Sequence, residues 1–168
     1  DSGTLEQLLM TPVSSLQILT AKIIPLSLLL LVNVSVSLMF STFLFQVPFR
    51  GNLLVFFGVS LLYIIVGISI GIFLAAVSEN QRQTLLTSFF VNVPVIQLSG
   101  AISPLESMPP FFQWLSLIDP LRYYCSCVRA ILLKGAGLEE VWRDVLVLAI
   151  FAVVLLWLSS TRFREQLK

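Results

Sequence analysis

The stretch GNLLVFFGVSLLYIIVGISIGIFLAAVS, residues 51–78, decides the fold class, because it runs for 28 residues without a charged side chain. An α-helix rises about 1.5 Å per residue and needs roughly 17–25 apolar residues to cross a bilayer. Three further runs lack charge: residues 23–49, 83–105 and 145–161, the last with 17 residues. Their continuous apolar character argues against the alternating pattern of a β-barrel. The sequence therefore predicts an all-α membrane protein with four transmembrane helices.

The overall composition excludes a soluble domain. Of the 168 residues, 57% are hydrophobic and 11% are charged, and the mean hydropathy is +0.97. Soluble domains carry about 25% charged residues, and so few charges cannot cover the surface of a soluble fold. The net charge of +1 offers no basic face for phosphates, so we predict no nucleic-acid partner.

The residue types that catalysis needs are scarce. The chain has no His, which excludes His-based proton transfer, His metal ligands and the common nucleophile–His pairs. It also has no phosphate-binding loop motif, no nucleophile-elbow motif and no metal-spaced cluster. Cys125 and Cys127 make no disulfide framework. We predict a chain that is not an enzyme and binds no cofactor or metal, so any energy source lies in another chain or in a missing part of this one.

Charged and polar stretches divide the chain, which we interpret as one part of a single transmembrane domain. The predicted spans are residues 22–46, 53–78, 83–104 and 144–161; residues 1–20 precede them, residues 105–143 connect the last two, and residues 162–168 form a tail. An even number of spans places both termini on one side. Each side then carries five Lys or Arg residues, so the positive-inside rule leaves the orientation open.

The segment ahead of the first span has a pattern of its own. Thr4 and Gln7 fit a capping box, in which the two side chains satisfy backbone groups at the start of a helix. Leu5, Leu8 and Leu9 form an apolar face, while Glu6 and Gln7 point elsewhere. The sequence predicts a short amphipathic helix here. The chain opens on Asp1 and not on Met, which predicts a piece of a longer subunit.

The connection over residues 105–143 is rich in aromatic and aliphatic side chains. Pro110 and Pro120 can each begin a helix, and Gly135 can end one. Short aromatic helices of this kind fit the membrane interface or a shallow re-entrant dip. We therefore predict short re-entrant helices in this connection.

Small and polar side chains recur inside the predicted spans. Helix packing is the prediction for the stripe of small residues, Gly67, Gly71 and Ala75. The polar residues are candidates either for interhelical hydrogen bonds or for lining a transport pathway: Asn33, Ser37, Ser41, Ser88, Asn92 and Gln97. Apart from Lys22 and Asp144, which are the first residues of two predicted spans, the spans contain no charged side chain, which argues against a proton- or ion-coupled carrier.

Two blocks of sequence resemble one known family. GTLEQLLMTPVS, residues 3–14, resembles the cytoplasmic loop of type-2 ABC exporter permeases, the membrane subunits of bacterial drug- and polymer-type exporters. LSGAISPLESMPPFFQWLSLIDPLRYY, residues 98–124, resembles the outward segment between that family's last two spans. The resemblance covers the chain in order, and these two blocks carry its specificity.

The resemblance implies an incomplete transmembrane domain. Family members have six spans and a large external domain after the first, so this chain would begin between the second and third spans. Residues 4–9 would be the coupling helix that docks on an ATPase subunit, with Glu6 and Gln7 as polar contacts and the three leucines as apolar ones. Residues 105–143 would lie outside the cell, and both termini would be cytoplasmic.

The resemblance also implies partners and a location. An ABC ATP-binding subunit would hold ATP and Mg²⁺, and a second permease copy would complete a homo- or heterodimer in the bacterial inner membrane. The first hypothesis is therefore the permease of an ATP-driven exporter that works by alternating access. The alternative is a non-transporting membrane scaffold that only binds partner helices. An intramembrane Ser–Lys hydrolase is weakly supported, because Lys22 and Lys134 lie at span ends or in loops.

Overall fold

The computed structural model describes residues 15–166, and over this range the chain is helical and contains no strand. Six α-helices follow one another: α1 (Ser15–Phe43), α2 (Leu53–Val77), α3 (Gln81–Leu98), α4 (Pro110–Leu115), α5 (Pro120–Arg129) and α6 (Leu138–Gln166). Two 3-10 turns, Leu105–Ser107 and Ser116–Ile118, flank α4, and a π-helical turn, Ala130–Lys134, follows α5. We call residues 99–137 the cap segment.

The α2 helix is the centre of the bundle. It packs against α6 along most of its length, and also against α1, α5 and α3. Its apolar sequence suits a helix that meets a neighbour or lipid on every side. The buried core lies near the start of α2, where Phe56 and Val59 meet Cys127 and Ile131 of the cap segment and Leu148 of α6.

The α2 and α6 helices run in the same direction. Near their first residues, Arg50 N–H donates to Leu132 O at 3.2 Å, and Gly135 lies against the Arg50 carbonyl. Further along both helices, the buried Ser159 hydroxyl donates to Ser69 O at 2.7 Å. Between two parallel helices the chain must return to its starting end, and α3 makes that return.

The α3 helix runs antiparallel to α2. It begins just after α2 ends, capped by Asn80, whose side-chain oxygen accepts from Gln83 N at 2.9 Å. Its far end meets the cap segment, where the Arg129 guanidinium donates to Gly100 O. With 18 residues, α3 is about 27 Å long, close to the thickness of a hydrocarbon core.

Three of the described helices are long and apolar enough to cross a membrane: Gln17–Phe43, Leu53–Val77 and Leu138–Arg162. Over residues 15–166 the chain is therefore all-helical with three candidate spans. The predicted span over residues 83–104 is not among them. Its helix ends at Leu98 and begins with the polar residues Gln81, Arg82 and Gln83, which lower the mean hydropathy of its 18 residues. The helix stops where Ser99 caps it and Gly100 adopts a φ of +78°, a left-handed conformation that favours glycine.

The turn residues of the cap segment act as the sequence predicts. Pro110 and Pro120 each occupy the first turn of a helix, where the missing proline N–H costs nothing. Gly135 ends the π-turn with a φ of +70°, and Ala136 N–H donates back to Ala130 O at 3.1 Å. The short helices are therefore confirmed, and their re-entrant placement stays a prediction.

Candidate transport surfaces

Asp119 is a buried carboxylate that sequence reasoning did not single out. It is 5% exposed, and its Oδ1 accepts from Leu121 N at 2.9 Å, which caps α5. Its Oδ2 is buried and has no hydrogen-bond partner among the described residues. Burial raises the pKa of Asp119 to about 6, against the opposing effects of the Leu121 hydrogen bond and the Arg122 charge.

Two arginines tie the cap segment together through neutral acceptors. Arg122 Nη1 donates to Ser116 Oγ at 2.6 Å and to Gln113 O at 3.2 Å. Arg129 joins α5 to the end of α3 through Gly100 O. These acceptors are uncharged, and each guanidinium group has further N–H donors beyond these bonds.

Buried hydroxyl groups join α2 to its neighbours. The Ser60 and Tyr124 hydroxyls are 3.1 Å apart, and the rings of Tyr63 and Tyr124 stack with centroids 4.5 Å apart. The Ser159–Ser69 bond joins α2 to α6. Interhelical hydrogen bonds in membranes contribute about 0.6 kcal/mol on average. These serines therefore select the rotation and register of the helices more than they add stability.

The predicted small-residue stripe does not mediate close packing within the described part of the chain. A Cβ atom placed on Gly67 or Gly71 would meet nothing within 4 Å. The stripe separates two clefts, one of about 390 Å³ facing Leu26 and Leu30 of α1, and one of about 100 Å³ facing α3. Its role in helix packing stays a prediction.

The polar residues predicted on α3 separate into two places. Ser88 and Asn92 line the smaller cleft beside Gly67 and Gly71, and Asn92 Nδ2 donates to Ser88 O at 2.8 Å. Gln97 lines a different cavity of about 670 Å³, together with Phe112 and other residues of the cap segment. Ser88 and Gln97 are nine residues apart, which is two and a half turns and places them on opposite faces of the helix.

The polar residues predicted on α1 lie on the surface of the chain. Asn33 and Ser37 are exposed, and Ser41 is half-buried. They line none of the cavities that hold the polar residues of α3. The described residues thus do not bring the two polar faces into one pathway, and pathway lining stays a prediction for all six residues.

The predicted coupling residues, Thr4, Leu5, Glu6, Gln7, Leu8 and Leu9, lie outside the described residues. Sequence reasoning missed Asp119, the π-turn and the buried serines. For Asp119 a signal was present in the sequence, since an Asp directly before Pro120 is a standard helix start. Ser60, Ser69 and Ser159 gave no such signal, because single serines inside apolar runs do not reveal which neighbour they meet.

Comparison with known proteins identifies the family. The family described as ABC-2 family transporter protein matches residues 1–161. The chain belongs to the ABC-2 transporter family. The match includes the N-terminal block and the cap segment that carry the resemblance described above, and it confirms that resemblance.

Bacterial and eukaryotic transport proteins resemble the chain. The probable multidrug ABC transporter permease YbhR of Escherichia coli is 31% identical over 145 residues, covering 86% of this chain and 39% of YbhR. The inner membrane transport permease YhhJ of Escherichia coli is 33% identical over 166 residues, covering 98% of this chain and 44% of YhhJ. ABC transporter G family member 20 of Dictyostelium discoideum is 33% identical over 140 residues, covering 82% of this chain and 19% of that protein.

This ABC-2 chain spans less than half the length of the bacterial relatives it matches. No solved structure matches it. Family membership and the three apolar helices support a multi-pass membrane protein of the ABC-2 transporter family.

Proposed function

We propose that this chain is part of the permease subunit of an ATP-driven ABC exporter, which forms the substrate pathway and couples to a separate ATP-binding subunit. The observation that carries the proposal is the family match over residues 1–161, which takes in the N-terminal segment as well as the bundle. Relatives named as permeases support the same assignment. Relatives named as multidrug permeases make a drug-like molecule the candidate substrate, and the proposed membrane is the bacterial inner membrane.

The proposal includes a fourth crossing by α3. The parallel packing of α2 and α6 supports it, because the chain has to return along the bundle between them. The antiparallel contact of α3 with α2 and the length of about 27 Å support it further. Four crossings would put the N-terminal segment, the loop at residues 78–80 and the C-terminal tail on one side and the cap segment on the other. In this proposal the first side is the cytoplasm, as the family resemblance implies, and the cap segment is the re-entrant region outside.

The exposed faces of α1 and α3 support a second permease copy. None of the α3 residues is buried, and the exposed side chains of this helix include the amides of Asn92 and Gln97. Asn33 and Ser37 of α1 are exposed as well. Polar side chains that face hydrocarbon are unfavourable. In the proposed dimer these faces contact a partner subunit or line a water-filled pathway.

Coupling in the proposed mechanism runs from the ATPase to the spans. ATP binding closes the pair of ATPase subunits, residues 4–9 transmit that movement as a coupling helix, and the bundle alternates between inward- and outward-facing states. Residues 4–9 contribute by contact alone. ATP and Mg²⁺ bind only to the partner subunit.

Co-purification tests the proposed function. The full-length permease is tagged, extracted from membranes in mild detergent and analysed for bound proteins by mass spectrometry. We expect a stoichiometric partner that carries a nucleotide-binding loop, and ATP-dependent export when both proteins are reconstituted in liposomes. A permease that binds membrane proteins but no ATPase, and whose deletion leaves export unchanged, would instead support the scaffold alternative.

A further inference from the structure

One cavity of the cap segment gathers charges of both signs. It has a volume of about 540 Å³ and lies between the end of α3, α5, the π-turn and the start of α6. Three cations line it, Arg122, Arg129 and Lys134, and so do two carboxylates, Glu106 and Asp144. These five groups come from four separate segments, so the tertiary fold and not a local sequence run brings them together.

The cations of this cavity are available to a ligand. The hydrogen bonds of Arg122 and Arg129 go to neutral oxygens, namely Gln113 O, Ser116 Oγ and Gly100 O. The three cations outnumber the two carboxylates that line the same cavity, which leaves a net positive charge to attract an anionic group. Arginine in particular suits the oxygens of a phosphate group.

The two carboxylates select against a simple anion. Glu106 and Asp144 line the same cavity as the cations, and they would repel a second negative charge on a ligand. They suit an ammonium group placed next to the phosphate. The charge pattern therefore matches a zwitterion, with a phosphodiester on the cations and an ammonium on the carboxylates.

The position of the cavity matches the depth of lipid head groups. Asp144 directly precedes the uncharged run of residues 145–161. Trp142, two residues earlier, is 51% exposed, and exposed tryptophans are enriched at membrane interfaces. Phe151 lies on the same face of α6 as Asp144, seven residues on, and its ring centroid is 6.3 Å from that of Tyr123, which lines the cavity. Aromatic side chains therefore lie next to the charged cavity.

From these observations we propose that the cavity binds a phosphodiester with an adjacent ammonium, as in the head group of phosphatidylethanolamine. A membrane lipid and a soluble phosphoethanolamine compound share this chemistry. The site is independent of the proposed export activity, because ligand binding is measured without ATP or transport.

Lipid retention tests the site on the full-length permease in nanodiscs. Phosphatidylethanolamine, phosphatidylcholine and phosphatidylglycerol are offered in competition, and the retained lipid is quantified by native mass spectrometry. We expect phosphatidylethanolamine to be retained preferentially. Lys134→Met and Glu106→Gln should each weaken its retention at least about tenfold, since each removes a charged contact. Both side chains are exposed, so the variants should fold.

Matched controls keep the outcome interpretable. Arg143→Met and Glu139→Gln make the same charge changes at exposed positions that do not line the cavity, and they should retain lipid as the parent protein does. Equal retention by all four variants would overturn the site, and so would a preference for phosphatidylglycerol. Glycerophosphoethanolamine is added in a parallel experiment. Its binding with the affinity of the lipid would assign the site to a soluble compound, and lipid-only binding would assign it to the bilayer.

Discussion

Replacing Gly51 with Ala is expected to destabilise the protein by about 3 kcal/mol or more. A Cβ on Gly51 would lie 2.4 Å from the Ile131 carbonyl oxygen and 2.5 Å from Ile131 Cγ2. Ile131 is fully buried, so neither its side chain nor its backbone can move aside freely. To relieve this steric clash, the turn before α2 has to separate from the π-turn, and that movement breaks the Arg50–Leu132 hydrogen bond.

The matched control for this variant is Gly58→Ala, a few residues further along and within α2. A Cβ on Gly58 would meet nothing within 4 Å, and alanine is the better helix former, so its stability should be unchanged or slightly raised. Thermal unfolding in detergent, followed by size-exclusion chromatography, compares the two variants. Equal unfolding temperatures would show that the turn does not lie on the π-turn as described.

The double variant Glu6→Arg with Leu8→Asp is expected to abolish export and to weaken ATPase association at least about a hundredfold. In the proposed coupling helix, Leu8 belongs to the apolar face and Glu6 to the polar contacts. A carboxylate on the apolar face would have to be desolvated at the interface, and the charge reversal at Glu6 would meet a partner surface suited to an anion. The measurements are pull-down of the ATPase and ATP-dependent export, both with the full-length permease.

Leu138→Asp with Glu139→Arg is the control for the coupling variant. It makes the same chemical changes at two exposed positions at the start of α6, on the opposite side of the membrane in the proposed topology. It should bind the ATPase as the parent protein does. If the coupling variant also kept full ATPase association and export, the assignment of residues 4–9 would be wrong.

The sequence was most informative about α2. The predicted span over residues 53–78 corresponds to a helix over Leu53–Val77. The long run without charged residues indicates the helix, and the polar cap residue Asn52 marks its start. The Asn52 side chain accepts from Leu54 N at 2.8 Å. Such local signals are readable from one sequence, since they depend on few neighbours.

The end of α3 was poorly predicted because absence of charge does not mean continuous helix. Residues 99–104 carry no charge, yet Gly100 turns the chain there with a φ of +78°. The π-turn is a second example, since it faces the backbone of Arg50 and Gly51, about 80 residues earlier in the chain. Hydropathy contains no information about contacts of that kind.

The candidate site was predicted in part. Sequence periodicity grouped Ser88 with Asn92, and the two residues line one cleft, while their role in a pathway stays a prediction. It could not tell that Gly67 and Gly71 border that cleft, because this depends on how α2 and α3 pack. The charged cavity was not predicted, since its five charged residues are spread over residues 106–144 and meet only in the folded cap segment.

Cysteine labelling at Glu79 and Glu139 tests the four-crossing permease architecture most directly. Both side chains are exposed, and they lie just beyond α2 and near the start of α6. With membrane-impermeant maleimide, we predict that Glu79→Cys reacts only from the cytoplasmic side and Glu139→Cys only from outside. The parent protein, in which Cys127 is buried and Cys125 half-buried, gives the background. Labelling of both positions from the same side would mean that α3 does not cross the membrane, and would contradict the architecture.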